Sequence, residues 1–288
     1  MTSDSDQDSD FYGDADTVTQ LKERVDDFDL EKGWKSQQVF SKLRSEPQPG
    51  KMDSASRLHN MYQGVPGAWQ APECLDAFLA RYPPSTTRRT AGIDWIRVWN
   101  PFLSPPEPQL SAVLRQGGKE RLDILSKFIL ASRTSGKTPF QIDREITKER
   151  DDAVNDLRHL AAMTKVLMGK WMLFPEPQDV DEAWRRVTRA TVNNELGIAA
   201  KVAPINDPHE RQRLICVYTK DFRDTADIAR VLNKLRSLEL IRAGGKQIYY
   251  KSDAWTDLGI YGGNDWQIPA SMHSSNEIFS YITRHGIH

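Results

Sequence analysis

Two apolar runs, GIAAKVAP (197–204) and RLICVYTK (213–220), are separated by little more than the polar loop NDPHERQ. Parallel neighbours need a crossover of about a dozen residues or more, usually carrying a helix. This loop is too short for that, so the two runs are expected to pair as antiparallel strands. KWMLFP (170–175) and KQIYYKSD (246–253) have the same strand character. Between these runs lie helical stripes. DVDEAW (179–184) is capping-box-like and opens a helix that turns Val180, Ala183, Trp184 and Val187 inward. Asp224 caps another, whose stripe is Ile228, Val231, Leu232, Leu235 and Leu238. Short strands with such connections indicate an α+β domain: an antiparallel or mixed sheet with helices on one face.

Upstream, ECLDAFLARY (73–82) has helical spacing and is stopped by Pro83-Pro84. GIDWIRVWNPF (92–102) alternates, which puts Trp95, Arg97 and Trp99 on one strand face and Ile96 and Val98 on the other. Residues 109–169 read as a helical insertion, with one stripe at Leu122, Leu125, Phe128 and Ile129 and a second running from Ile142 to Val166. The reading divides the chain into an acidic, disordered tail (1–16), a weakly ordered segment (17–64) and a single α+β domain (65–288). The tail holds six Asp and no Lys or Arg. Such a composition buries too little apolar surface to offset the entropy of ordering. Of the 40 acidic residues, 34 lie beyond it against 39 basic ones, a mild positive balance that neither announces nor excludes nucleic-acid binding.

No stretch has the roughly 18 apolar residues of a membrane span. The N-terminus lacks the basic and apolar regions of a signal peptide. Two cysteines make no disulfide framework. The expected location is intracellular: the cytoplasm, with the nucleus also open. The six histidines have no metal-ligand spacing, so no metal and no cofactor are expected. ASRTSGKTP (131–139) fits the letters of a loose phosphate loop. A strand must deliver such a loop, and the preceding LDILSKFIL is helical. The stretch therefore reads as a turn between helices, with Pro139 at the first helical position. No nucleophile elbow or catalytic cysteine signature stands out, which favours a binding protein over an enzyme.

The candidate binding residues are aromatic and basic. Trp95 and Trp99 with Arg97 between them could stack a base and hold a phosphate; packing against a helix is the alternative for that face. Trp171 and Trp184 fit the core. The glycine-punctuated YYKSDAWTDLGIYGGNDW (249–266) adds Tyr250, Lys251 and Trp255.

The ordered succession GKWMLFP, VDEAW, LGIAAKV, RLICVYTKDFRDTADIARVL and IYYKSDAWTDLGIYGGNDW resembles the basophilic leukaemia-expressed protein family over residues 168–266. GIDWIRVWNPF upstream fits the same resemblance. It implies a fold similar to the cap-binding translation initiation factor four E, a curved antiparallel sheet backed by helices. LGIAAKVAP and RLICVYT then resemble the strand pair whose basic residues hold the cap phosphates. Where that factor carries a phosphate-binding Arg, this chain has Ala203, with Lys201 two residues earlier; Arg211 and Arg213 are the substitutes for a second basic group.

The leading expectation is a non-enzymatic protein that binds RNA or a nucleotide-like ligand. The alternative is a protein-interaction module that uses its helical face, and an enzyme acting on nucleotides comes last. An open pocket lined by at least two of Trp95, Trp99 and Trp255 would favour the first. Burial of all three beside an apolar helical patch would favour the second.

Overall fold

The computed structural model describes residues 58–71, 73–90, 92–207, 211–242 and 245–286. The expectations for residues 1–16 and for most of 17–64 fall outside them. In chain order the elements are α1 (Leu75–Arg81), β1 (Ile96–Trp99), α2 (Ser111–Thr134), α3 (Pro139–Met163), β2 (Gly169–Leu173), α4 (Val180–Val192), β3 (Ala199–Val202), β4 (Ile215–Thr219), α5 (Thr225–Ser237), β5 (Tyr249–Ser252), α6 (Asp253–Asp257), β6 (His273–Ser274) and α7 (Ser275–His285). The six strands form one sheet in the order β1-β3-β4-β2-β5-β6. Every neighbouring pair is antiparallel. The fold is thus α+β, and of the antiparallel and mixed alternatives the sheet takes the antiparallel one.

Alternation divides the strand residues between two faces. Ile96, Val98, Trp171, Leu173, Ala200, Val202, Ile215, Val217 and Tyr250 join the main core with the helices. Trp171 and Trp184 are both 0 % exposed, as their periodicity required. Trp171 meets Tyr250 edge-on at 5.4 Å and donates its Nε1–H to Ile228 O on α5 at 3.1 Å. Tyr250 also shares a hydrogen bond of 2.5 Å with Thr219 Oγ1. The approach of its ring explains Gly169, where any Cβ would collide with it.

The helix starts follow their caps. Asp224 accepts from Asp227 N and opens α5, and Ser274 with Glu277 forms a capping box for α7. Asp179 departs from the sequence reading, because it makes no side-chain cap. The acids after it are engaged elsewhere: Asp181 accepts from Ser85 N at 2.8 Å, and Glu182 bonds Arg185 and Arg186. Helices α2 and α3 form a hairpin joined by residues 135–138, the heart of ASRTSGKTP. Thr138 and Gln141 make the capping box, with Pro139 in the first turn, and Lys137 pairs with Glu145 at 2.9 Å. A helix delivers this loop and a helix receives it, the context of a turn rather than of a phosphate loop. The hairpin is clamped from inside by Arg121, which bridges Glu149 and Asp156 at 2.9 and 2.7 Å.

Candidate ligand cleft on the open sheet face

The second face of the sheet is read directly from its register. One row across the strands runs Arg97, Lys201, Cys216, Met172, Tyr249. The next runs Trp99, Ala199, Tyr218, Lys170, Lys251. Residues directly opposite one another share a face, so both rows point away from the helices. One end of this face is sealed. Trp99, Ala199, Cys216 and Tyr218 form a small buried cluster with Tyr62, Leu103 and Met172 packed on it. Trp99 meets Tyr62 edge-on at 6.3 Å and donates its Nε1–H to Leu103 O at 3.0 Å.

The rest of the face is a cleft of about 560 Å³. Its basic lining is Lys170, Lys201 and Lys251, and its aromatic lining is Trp95, Phe174, Tyr249 and Tyr261. The lysines differ in how they are held. Lys170 is bonded to Asp253 and donates to Thr256 Oγ1 at 3.0 Å. Lys251 donates to Ile260 O at 2.7 Å and lies 3.8 Å from the centre of the Tyr261 ring. Lys201 rests 4.2 Å from the Trp95 ring centre and 5.5 Å from that of Tyr218. It has no hydrogen-bond or carboxylate partner among the described residues.

Three ammonium groups beside one carboxylate, Asp253, have the expected electrostatic result. Burial, reinforced by the neighbouring Lys170 ammonium against the weaker opposite pull of Asp253, brings Lys251 down to about 8. Burial likewise holds Lys201 below the usual lysine value, with Cys216 opposing. The Cys216 thiol at the cleft floor is pushed up to about 11 by burial. The arrangement suits a ligand that brings negative charge to the lysines and a flat or apolar part to the aromatic residues at the mouth. Phe174, Tyr249 and Tyr261 are 42, 44 and 55 % exposed there, open for contact.

Of the residues singled out from sequence, Trp95, Lys201 and Lys251 meet in the cleft. Trp95, Arg97 and Trp99 do share a face, but they form no common platform. Arg97 is bonded to Asp94 and lies over the Tyr62 ring, while Trp99 is sealed beneath Tyr62 and Leu103. Tyr250 and Trp255 are corrected to core positions at 0 and 1 % exposure. The parity of β5 turns Tyr250 to the helices, and Trp255 on α6 sends its Nε1–H to Pro269 O at 3.2 Å. Arg213 is buried at 3 % exposure. Arg211 is exposed, beside Glu176 and Gln178 in a separate shallow depression. Lys170, Phe174 and Tyr249 were missed by the sequence reading; the alternation Lys170, Met172, Phe174 was the signal that could have found two of them.

Among the described residues no helix is long and apolar enough to cross a membrane, and no three His, Cys, Asp or Glu side chains gather to hold a metal ion. The family model described as basophilic leukemia-expressed protein Bles03 matches residues 21–259, most of the chain and all six strands but the last. Five of the six strands, the helices α1 to α6 and most of the residues that line the cleft therefore fall within the matched region, and the chain belongs to the Bles03 family of basophilic leukemia-expressed proteins.

Proposed function

We propose that this chain is a non-enzymatic binding protein that holds an anionic ligand with a flat ring, a nucleotide or single-stranded RNA, in the cleft on the open sheet face. The carrying observation is the gathering of Lys170, Lys201 and Lys251 with one carboxylate nearby, under a mouth of exposed aromatic side chains. Backbone phosphates are held by such cations and bases by such rings. A volume of about 560 Å³ is in the range of small-molecule sites. An antiparallel sheet with helices on one face and the cleft on the other also supports kinship with the cap-binding translation initiation factor four E. In that comparison Lys201 on β3 takes the phosphate-holding part. Two free thiols fit a reducing, cytoplasmic setting.

Trp95 is one of eight tryptophans, so the cleft signal is the part of the Trp emission change that a Trp95→Phe variant loses. Titration with nucleoside triphosphates and short single-stranded RNA at low salt should give saturable quenching that weakens as salt rises. Lys201→Met and Lys251→Met should each weaken it while melting like the parent. No response to any of these ligands at about millimolar concentration, well above typical nucleotide affinities, would refute the proposal. A second reading, a protein partner on the helical hairpin, is favoured by Leu130 and Phe140, which are 67 and 79 % exposed on α2 and α3. Loss of a partner's binding in a Leu130→Ser, Phe140→Ser variant with the cleft intact would support that reading instead.

A further inference from the structure

The charge pattern of the cleft bears on the kind of base it accepts. Its lining holds no Asp or Glu. Acids next to the lining residues are already engaged: Asp253 by Lys170 and Asp94, which precedes Trp95, by Arg97. A positively charged ring finds stabilisation in carboxylates and on aromatic faces. Two of the available faces are occupied by ammonium groups, Trp95 by Lys201 at 4.2 Å and Tyr261 by Lys251 at 3.8 Å. On those two faces a cationic ring would have to displace an ammonium group. Neither Lys201 nor Lys251 has a carboxylate hydrogen-bonded to it among the described residues. Together they match at least two negative charges.

From this arrangement we infer that the cleft takes a phosphate chain joined to an uncharged base, and that it discriminates against the positively charged, N7-methylated base of an RNA cap. The inference rests on the nucleotide-binding reading above and adds its specificity. It separates the cleft from a cap-binding site, where a cationic base is the feature recognised. Two sources offer the favoured chemistry: a free nucleoside triphosphate and the triphosphorylated 5′ end of an RNA.

The test compares four ligands by isothermal titration, with the emission change that Trp95→Phe removes as a second readout, near pH 6.5, where the methylated base keeps its positive charge. They are GTP, 7-methyl-GTP, a short single-stranded RNA with a 5′ triphosphate, and the same RNA with a 5′ hydroxyl. GTP should bind about tenfold more tightly than its methylated form, the repulsion expected of like charges several ångströms apart in a partly screened site. The triphosphorylated RNA should exceed the hydroxylated one if the RNA end is the source. Binding of GTP with neither RNA would assign the free nucleotide. Equal or tighter binding of 7-methyl-GTP would overturn the inference and leave the nucleotide reading standing. Equal binding of the two RNAs, both tighter than GTP, would overturn the requirement for a phosphate chain. Failure of all four ligands would overturn the nucleotide reading itself. Lys201→Arg, which keeps the charge, should preserve the preference for GTP. Lys201→Met should reduce both the affinity and the preference; if it changes neither, the ligand sits elsewhere and the inference fails.

Discussion

Replacing Lys251 by Met should leave the protein at least as stable near neutral pH while weakening its ligand binding. Lys251 is 5 % exposed, and its ammonium titrates at about 8 instead of 10.5. At about 1.36 kcal/mol per pH unit, that gap sets an upper bound of roughly 3 kcal/mol on the cost of keeping the group charged. Water in the open cleft screens the charge and brings the cost to about 1.5 kcal/mol. Met retains most of the packing of the stem but loses the hydrogen bond to Ile260 O, worth about 1 kcal/mol. The two effects nearly cancel near pH 7, with a net change of about 0.5 kcal/mol in favour of the variant. The pH dependence is more telling. Below about pH 8 the lysine is protonated both folded and unfolded, and the parent bears the full cost. Between about 8 and 10.5 the unfolded chain still holds the proton and the folded one has lost it, so the parent's stability climbs with pH. The Met variant has no such climb. Paired thermal melts should therefore show the variant losing about 1.5 to 3 kcal/mol relative to the parent between about pH 7 and pH 10.5, from the screened cost to the full gap, roughly 3–12 °C in Tm. A difference that stays flat with pH, or a loss above about 2 kcal/mol near pH 7, would refute the argument. The expected pairing of maintained stability with lost binding is the behaviour of a residue kept for function.

Phe174→Ala and Tyr249→Ala remove exposed rings, so melting should change by less than about 1 kcal/mol; each should weaken nucleotide binding by about 1–3 kcal/mol in a calorimetric titration. Trp255→Ala should instead cost about 3–5 kcal/mol of stability as a core truncation, visible as a large fall in Tm. Lys137→Ala breaks an exposed ion pair with Glu145 and should change stability by about 0.5 kcal/mol or less, with no effect on Mg-ATP binding; selective loss of that binding would restore the phosphate-loop reading. Cys216, with a thiol near 11, should resist alkylation at about pH 8 while exposed Cys74 is labelled, as peptide mass mapping would show; rapid labelling of both would mean the cleft floor opens.

The chain's own pattern determined a good deal. The short loop before β4 required an antiparallel partner, and β3 is that partner. The helical periodicity of LDILSKFIL ruled out a strand before Lys137, and the structure has a helix there. Alternation placed Trp95, Arg97 and Trp99 on one face. These features are set by spacing within a few residues, where backbone geometry leaves few choices. Which face of each strand met the helices was not set that way, because alternation has two parities and each is consistent with the local sequence. In β5 the packing of Trp171 against Tyr250 turned Tyr250 into the core and Lys251 into the cleft. Along β2 and the residue after it the alternation Lys170, Met172, Phe174 is present, but both faces of the strand are largely covered, so it does not say by itself which face is the cleft. Trp99 and Trp95 have the same parity, yet Tyr62 and Leu103 cover one and leave the other beside Lys201. The sequence by itself determined five of the six strands, the helices α1 to α5 and the pairs that a short loop compels. Only the tertiary structure decided the cleft, because its lysines come from three strands separated by tens of residues, and their shared charge exists only once the sheet register sets them side by side.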